Sequence, residues 1–560
     1  RKISHTPPPE HFAGVTNSDI AFSGTNVIQG NYNGFQIWDI SNPSAPRLRD
    51  AMLCPASQSD VSVYKNLLFV SAEAPTARLD CGATAPTEPV SKERIRGVRI
   101  FDITDIDHPK YLANVQTCRG SHTHTVVNDP NDPNNVYIYI SGTSPVRPAE
   151  ELAGCVADAD NPNTALFRIE VIQVPLAHPE QAHIVSSPRI FADARTGAAG
   201  GLASPKSHGI SPADTNAAAR AAAEAQRVAR AAAAAARGGA AAGAPANTGS
   251  GMLTQCHDIT VYPAVGMAGG ACAGMGLLLD IKDKAHPTRM AAVADSNFSF
   301  WHSATFNNDG TGILFSDEWG GGGAAYCRAE DPKDWGADAI FSIVNGEMVF
   351  RSYYKMPAAQ TSFENCVAHN GSLIPIPGRT VMVQAWYQGG ISMFEWTDPS
   401  HPHEIGFFDR GPNDGTRLKG GGYWSAYWYN GQIVGSEMQR GLDVFELTPS
   451  AAISQNEIDA AKSVHVDFLN VQDQQKFVWP ATFALARAYT DQLERWKGLS
   501  TEQVAEVRDA LSTAESVSGG ARVGLLNKLA TQVNGYRSGS TDPRRVQWLG
   551  AAVKDLASAR

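Results

Sequence analysis

The stretch GFQIWDISNPSAP (residues 34–46) and its close copy GVRIFDITDIDHP (residues 97–109) decide the fold of this chain. Each has the alternating apolar residues of a short strand, followed by an acidic residue and a turn marked by proline. Further copies are LLLDIKDKAHP at 277–287, GISMFEWTDPSHP at 390–402, a truncated GLDVFEL at 441–447, and weaker copies at 169–179 and 339–343. We predict that the recurring acidic residue (Asp39, Asp102, Asp280) accepts hydrogen bonds from backbone N–H groups of its turn.

Seven copies of one short unit predict a repeat fold. Another pair of short strands lies upstream of each copy, for example over residues 61–71, where Lys-Asn marks the turn. Three or four short antiparallel strands repeated seven times are typical of a β-propeller, in which each blade packs between two neighbours. We therefore predict an all-β, seven-bladed propeller over residues 17–448.

The pattern of the repeat also resembles that of a known family. Gly-(Leu/Ile)-x-(Ile/Val)-(Phe/Trp)-Asp-Ile-x-(Asp/Asn)-Pro-x-x-Pro is similar to the LVIVD repeat, found in secreted bacterial propellers of mostly unassigned function. The resemblance covers about residues 17–448. It implies the propeller fold, and it says almost nothing about an activity.

Three segments lie outside the repeats. Residues 1–16 are expected to be an N-terminal extension, and an Ala-rich helical insertion at about 205–245 interrupts the third blade. Its predicted helix, 211–237, carries arginines on one face that is either solvated or a docking surface for an acidic protein partner: Arg220, Arg227, Arg230 and Arg237. Over 449–560 an apolar period near 3.6 predicts a C-terminal α-helical domain, another candidate surface for a protein partner, with helices around 455–468, 480–496, 501–515 and 520–536.

Composition excludes several classes of protein. The 560 residues carry a net charge of −10, which argues against a nucleic-acid-binding surface, and 43% apolar residues argue against a disordered chain. The chain has no run of about 18 apolar residues, so no membrane span is expected.

The cysteines indicate an oxidising compartment. They follow one another in close pairs along the chain, which favours four local disulfides without fixing the pairing: Cys54, Cys81, Cys118, Cys155, Cys256, Cys272, Cys327 and Cys366. The chain begins Arg-Lys-Ile-Ser without Met. We therefore expect a secreted, periplasmic or cell-surface protein from which a signal peptide has been removed.

Histidines occupy one register position in four consecutive blades. This position, at the start of the first strand, holds His122, His257, His302 and His369, whereas the other blades have Ser18, Ser59 and Trp424. Because the first strand lines the channel of a propeller, we predict that the four imidazoles converge at one mouth and bind a transition metal. Imidazole ligands favour Fe or Cu here, and Zn also fits.

Acidic residues end the second strands, which lie beside the starts of the first strands in an antiparallel blade. Glu73, Glu318 and Glu437 are predicted to orient the histidines, since a metal-bound imidazole usually donates its other N–H to a carboxylate. The alternative is that each glutamate caps its own turn. His124 is expected to face the channel as a spare ligand or proton carrier, and Asp60 and Asp258 are expected to face the packing between blades.

The arrangement suggests a reaction class. Four histidines backed by glutamates resemble the non-haem iron centre of carotenoid-cleavage oxygenases and the copper site of methanethiol oxidases, although no other pattern of those families is present. We expect a metal-dependent oxidoreductase acting on a small-molecule substrate. Aromatic residues of the loops near the mouth either form the floor of a pocket or are buried between blades, as large aromatics of propellers often are: Trp301, Trp319, Trp386, Tyr387, Tyr423, Trp424, Tyr427 and Trp428. The alternative is a non-catalytic surface, assembly or binding protein whose histidines hold a structural metal or none.

Overall fold

The computed structural model describes residues 1–192, 254–272 and 274–559. The predicted insertion at about 205–245 lies outside the described residues, together with its helix and the arginines Arg220, Arg227, Arg230 and Arg237. Those predictions therefore stay predictions.

The described residues are mostly in strands. In chain order these are β1 (Lys2–Thr6), β2 (Asn17–Ser23), β3 (Asn26–Asn31), β4 (Gly34–Asp39), β5 (Arg47–Leu53), β6 (Val61–Tyr64), β7 (Leu67–Ala72), β8 (Gly97–Asp102), β9 (Lys110–Gln116), β10 (His124–Asn128), β11 (Asn135–Ile140), β12 (Glu170–Pro175), β13 (His183–Ser186), β14 (Ile259–Tyr262), β15 (Met267–Cys272), β16 (Met275–Asp280), β17 (Thr288–Val293), β18 (Trp301–Phe306), β19 (Gly312–Asp317), β20 (Asp338–Val344), β21 (Glu347–Tyr354), β22 (Asn370–Ile374), β23 (Val381–Ala385), β24 (Ile391–Glu395), β25 (His403–Phe408), β26 (Tyr423–Tyr429), β27 (Gln432–Glu437), β28 (Gly441–Phe445) and β29 (Phe468–Leu469).

The strands pair in chain order into antiparallel sheets. Successive sheets contain β2–β5, β6–β9, β10–β13, β14–β17 and β18–β21, and the last sheet joins β22–β25 to β26–β28 through a short parallel pairing of β22 with β26. The first strands contact one another in the order β2, β6, β10, β14, β18, β22 and β26, and β26 contacts β2 again. This closed ring makes the fold propeller-like, as predicted.

The quoted repeats are the third strands of these sheets, among them β4, β8, β16, β24 and β28. Gly34 and Gly97 begin such strands with φ of 144° and 154°, and a Cβ atom at either position would overlap a carbonyl oxygen of the neighbouring strand. The acidic residues that end three of the repeats accept the N–H two residues further on at 2.8–2.9 Å, as predicted: Asp39, Asp102 and Asp280. Both recurring features of the motif therefore serve the strand and its turn.

The N-terminus corrects one predicted boundary. Within residues 1–16, which were expected to be an extension, β1 pairs with β28, with Lys2 opposite Phe445 and Thr6 opposite Leu442. An unpaired β28 would leave a row of free N–H and C=O groups at the sheet edge. The beginning of the chain therefore completes the last sheet.

Four disulfides join neighbouring cysteines along the chain. The pairs are Cys54–Cys81, Cys118–Cys155, Cys256–Cys272 and Cys327–Cys366. The predicted local pairing is confirmed, and it indicates a protein of an oxidising, non-cytoplasmic compartment. Within the described part of the chain, no helix has the length and apolar character needed to cross a lipid bilayer.

The C-terminal region is helical, as predicted. Its helices are α1 (Gln455–Lys462), α2 (Phe483–Arg495), α3 (Thr501–Glu515), α4 (Gly519–Tyr536) and α5 (Pro543–Ser558). The first predicted helix ends at Lys462 instead of 468, and α5 is a helix beyond those predicted. Leu493, Val507, Leu526 and Leu549 are buried together between α2, α3, α4 and α5 and form a separate apolar core.

Buried ion pairs join these helices to the sheets. Arg379 bonds Glu395 of β24 at 2.5 Å and Glu457 of α1 at 2.9 Å, and Arg495 of α2 bonds Glu457 at 2.6 Å. Glu457 is completely buried, so its charge depends on the two guanidinium groups.

A segment at 466–477, here called the strap, crosses one end of the ring. Its β29 pairs with the end of β2. The amide of Asn470 bonds both the N–H and the C=O of Val63 at 2.7 Å, and the amide of Gln474 bonds those of Phe306 at 2.9 and 2.8 Å. Val63 and Phe306 lie towards the ends of β6 and β18, so the strap covers the end of the ring opposite the strand starts.

Candidate functional site

The four histidines lie side by side at the uncovered end of the ring. His302 belongs to β18, while His122, His257 and His369 lie just before the paired residues of β10, β14 and β22. Neighbouring ring centres are 4.5 Å apart for His122–His257, 3.8 Å for His257–His302 and 4.3 Å for His302–His369. The imidazoles thus form an arc, here called the imidazole arc, in which each ring contacts the next.

Two members of the arc are deeply buried. His302 and His369 are each 1% exposed. Burial disfavours the charged imidazolium; it lowers the pKa of His369 to about 3 and holds the pKa of His302 well below its usual value. Both rings are therefore neutral at physiological pH, the form in which imidazole binds metals.

The tautomer of His369 is fixed by its neighbour. Nδ1 of His369 bonds the backbone carbonyl of Trp424, which can only accept, so Nδ1 carries the proton and Nε2 has the lone pair. That Nε2 has no hydrogen-bond partner in the described residues and lies 3.8 Å from Oε1 of Glu318. A lone pair therefore faces a carboxylate oxygen, and a cation between them would satisfy both acceptors.

Glu318 faces two imidazoles at similar distances. Its Oε2 lies 3.6 Å from Nε2 of His302, and its Oε1 accepts a hydrogen bond of 2.5 Å from the Tyr387 hydroxyl. Separations of 3.6 and 3.8 Å are too long for hydrogen bonds. Two ligand atoms bound at about 2.1 Å to one tetrahedral metal would be about 3.4 Å apart, which is close to the observed spacing.

Two sets of metal-ligating groups share His302. Donor atoms of His302, Glu318 and His369 lie within 4.8 Å of one another. The same holds for His257, Asp258 and His302. The middle of the imidazole arc is therefore the point at which a metal would find most donors.

His122 is held by the first of the predicted glutamates. Its Nδ1 lies 2.5 Å from Oε1 of Glu73, whose Oε2 accepts a bond of 2.6 Å from Thr143. Burial alone would lower the pKa of His122 and raise that of Glu73, but their mutual attraction outweighs it, so the pKa of His122 is raised and that of Glu73 is lowered. Glu73 orients this imidazole, as a carboxylate behind a ligand would.

Glu437 and His124 lie elsewhere. Glu437 accepts from the backbone N–H groups of Gln439 and Arg440, so it caps its own turn, which was the alternative interpretation. His124 packs against Phe69 and bonds Ser71 at 2.8 Å, away from the imidazole arc. Burial lowers its pKa to about 3.

Asp60 and Asp258 each lie beside a histidine at a strand start. Asp258 lies 2.9 Å from Nδ1 of His257, and Asp60 lies 3.6 Å from Nδ1 of His124. Asp60 precedes β6 and contacts a histidine that begins β10 of the neighbouring sheet, whereas Asp258 contacts the histidine next to it in the chain.

Tyr387 belongs to the site, although from the sequence it was only one of eight candidate aromatic residues near the mouth. It is 3% exposed, has φ of 53°, and its ring centre lies 4.6 Å from that of His369. Of the other predicted pocket residues, Trp424 lies 5.3 Å from His369, whereas Trp301, Trp386 and Trp428 are buried in the sheets. For these three tryptophans, burial is the outcome that fits the packing alternative.

Solvent reaches the site from the side of His122. The side chains of His122, Glu73 and Glu318 are 16%, 13% and 10% exposed, against 1% for His302. A small molecule could thus approach the arc past these three groups, while the strap closes the far end of the ring.

Comparison with known proteins leaves the family open. No family model matches the chain, and no curated protein matches it. Solved structures similar to it include the periplasmic gluconolactonase of Pseudomonas aeruginosa (10% identity, 83% of this chain and 99% of that chain, TM-score 0.44), a putative 6-phosphogluconolactonase of Bacteroides uniformis (9%, 78% and 92%, 0.43) and hydrazine synthase of Kuenenia stuttgartiensis (8%, 76% and 94%, 0.42). At such scores these likenesses carry no inference about function, and membership of the LVIVD family stays a prediction.

Proposed function

We propose that this protein is a secreted or periplasmic, seven-bladed propeller of the LVIVD type that binds a transition metal at the imidazole arc and works as a metal-dependent oxidoreductase. The metal would be held by His302, His369 and Glu318, with His257 next to them. The proposal depends above all on one observation: the Nε2 lone pair of His369 faces a carboxylate oxygen at 3.8 Å with no donor between them.

The residues around the arc prepare these donors. The Trp424 carbonyl sets the tautomer of His369, and the Tyr387 hydroxyl orients Glu318. Neutral imidazoles with one carboxylate suit Fe, Cu or Zn better than Ca or Mg. Bound iron or copper would supply one-electron chemistry, and this is the basis for proposing an oxidoreductase.

Metal analysis tests the proposal. We expect about one equivalent of Fe or Cu per chain in protein purified without chelator, and loss of most of it in His302→Ala and Glu318→Gln. Glu437→Gln is the matched control, because this glutamate ends an equivalent strand but caps a turn, and it should keep the metal. Absence of any transition metal, or equal metal in all variants, would refute the metal site.

The identity of the metal tests the reaction class separately. Iron or copper with a spectrum that responds to a reductant supports redox chemistry, whereas Zn alone would retain the metal site and reject the oxidoreductase.

A non-catalytic role is the second candidate function, and the burial of His302 and His369 favours it. A structural metal site is closed, whereas a catalytic one keeps a position for water or substrate. Addition of azide to the metal-loaded protein separates the two: a shifted absorption spectrum shows an open position, and an unchanged spectrum supports a structural metal.

A further inference from the structure

Three carboxylates lie one residue deeper in the ring than the start position. Asp19, Asp60 and Asp258 are each at most 2% exposed and come from or directly precede β2, β6 and β14. They are close enough to interact: after burial, repulsion by Asp19 and Asp258 is the main reason that the pKa of Asp60 is raised. The strap covers the end of the ring beyond them, opposite the strand starts.

Two of these carboxylates have neutral donors in place of an Arg or Lys partner. Asp19 accepts from the Tyr427 hydroxyl at 2.8 Å and from the Asn370 amide at 3.2 Å, both of which are neutral donors. Asp60 accepts a long bond of 3.3 Å from the backbone N–H of His124 and also a backbone bond from Val61, both neutral donors. Neither carboxylate forms an ion pair with Arg or Lys in the described chain.

Asp443 shows how this chain otherwise buries such a group. It also accepts from a tyrosine, Tyr423, at 2.5 Å, but there Arg410 supplies a positive charge to the same carboxylate oxygen. Burying a charge without a counter-charge is costly. Asp19 and Asp60, unlike Asp443, therefore have no Arg or Lys in the described chain to balance their buried charge.

A second observation points to a ligand at the same place. Asn370 is 4% exposed, and its Oδ1 has no hydrogen-bond partner in the described residues. Its Nδ2 donates to Asp19 at 3.2 Å, so the amide that carries this free oxygen lies next to that carboxylate. An unpaired amide oxygen next to carboxylates adds one more hydrogen-bond acceptor at a place that already has few donors. A bound cation would satisfy these acceptors.

We propose that Asp19, Asp60 and the Asn370 amide oxygen, with Asp258 beside them, bind an oxygen-ligated divalent cation with the preferences of Ca²⁺. All of these donors are oxygens, which hard cations prefer, whereas the imidazole arc offers mainly nitrogen. Asp19, Asp60 and Asp258 do not form a group with donor atoms all within 4.8 Å, so the most distant carboxylate would bind the ion through a water molecule, as Ca²⁺ sites commonly allow.

Terbium luminescence of the full chain tests this site. Tb³⁺ replaces Ca²⁺ at oxygen sites, and Tyr427, bonded to Asp19, would sensitise its emission. We expect sensitised emission that Ca²⁺ displaces, and affinity for Tb³⁺ at least about tenfold weaker in Asp60→Asn and in Asp19→Asn, since each loses a charged ligand. Asp443→Asn is the matched control, a buried aspartate with a tyrosine donor that already has its arginine, and it should bind Tb³⁺ as wild type does.

Thermal unfolding gives an independent measurement. Ca²⁺ should raise the Tm of the wild type and of Asp443→Asn, because a ligand bound only by the folded state stabilises it, and it should leave the Tm of Asp60→Asn unchanged. Equal Tb³⁺ affinity in wild type and both aspartate variants, or a Ca²⁺-dependent Tm rise that persists in them, would overturn the proposal.

The proposed Ca²⁺ site can be tested separately from the transition-metal site of the proposed function. His302→Ala should keep Ca²⁺-displaceable Tb³⁺ emission, and Asp60→Asn, with a far-ultraviolet circular dichroism spectrum like that of the wild type, should keep its transition metal. Joint loss of both ions in each variant would contradict the existence of two sites.

Discussion

Two adjacent glycines allow the role of Tyr387 to be tested at constant backbone strain. Gly321 and Gly322 have φ of 63° and 68°, so alanine at either position pays a similar cost, about 1–2 kcal/mol, for a left-handed conformation. They differ in their surroundings. A Cβ atom on Gly321 would meet nothing within 4 Å, whereas a Cβ atom on Gly322 would overlap the hydroxyl oxygen of Tyr387.

The overlap has a specific consequence for Glu318. The Tyr387 ring would have to move, and its 2.5 Å bond to Glu318 would break. Loss of a group that orients a metal ligand typically weakens metal affinity about 10–100-fold, or about 1.4–2.7 kcal/mol. We therefore expect this loss in Gly322→Ala and in Tyr387→Phe, and wild-type affinity in Gly321→Ala.

Competition with a chromogenic chelator measures these affinities, with Zn²⁺ or Cu²⁺ added to metal-free protein. Urea unfolding of the metal-free variants shows whether both alanines cost similar stability. Metal binding by folded Gly322→Ala that equals that of Gly321→Ala, or wild-type metal affinity in Tyr387→Phe, would contradict the orienting role of Tyr387.

Other predictions concern the contacts between the C-terminal region and the sheets. Arg379→Met leaves Glu395 and Glu457 buried without their shared partner and should lower the free energy of unfolding by about 3–5 kcal/mol in urea titrations. Burial raises the pKa of both glutamates, but bonds from Arg379 and Arg495 outweigh it and hold both pKa values below the usual one. The stabilisation by these ion pairs is therefore present above about pH 4.3 and is lost as the pH falls through the pKa values of the folded state. The difference in free energy of unfolding between wild type and Arg379→Met should thus become smaller in acid, and a difference that stays constant with pH contradicts this. Asn470→Ala and Gln474→Ala should each cost about 1–3 kcal/mol, because each leaves a strand N–H and C=O unpaired, and Gln475→Ala, which loses one bond to Phe468, should cost less.

The repeated part of the fold could be predicted because each unit carries the same local instructions. The glycine that starts β4 and β8 and the aspartate that ends them mark a strand and its turn without knowledge of the neighbours. The same regularity placed the four histidines in one register, since equivalent positions in a ring of strands lie at the same end. Local pairing of the cysteines followed from their spacing along the chain.

The contacts that close the structure were not predictable in this way. The pairing of β1 with β28 and the path of the strap connect residues more than 400 positions apart, for example Asn470 with Val63. Neither segment has a periodic pattern. The strap bonds the ends of strands through single amide side chains, and nothing in its sequence marks where α1 ends, so the predicted helix runs on to residue 468. Long-range pairings of this kind are set by the finished ring and not by local sequence.

Side-chain direction at the strand starts was the other limit. Alternation predicts which residues share a face only where pairing is regular, and the start of β2 is irregular precisely where Ser18 and Asp19 lie. Glu437 and Glu318 end equivalent strands, yet the first caps a tight turn and the second faces two imidazoles. Which of the two occurs depends on the loop that follows, and loops are where the repeats differ most.

The first strands fall into two groups by the side chains near their starts. The imidazoles come from four consecutive first strands, β10, β14, β18 and β22, while Asp19, Asp60 and Tyr427 come from the remaining three, β2, β6 and β26. Asp258 and Asn370, which directly follow His257 and His369, add oxygen donors one residue deeper on two of the imidazole strands. Changes at two or three positions per strand thus place nitrogen donors at the start position and oxygen donors at the position below it. Burial keeps His302 and His369 neutral, and Asp19 and Asp60 form no ion pair with Arg or Lys in the described chain. The donor atoms would then decide which cation binds where, a borderline metal at the imidazoles and a hard one at the carboxylates.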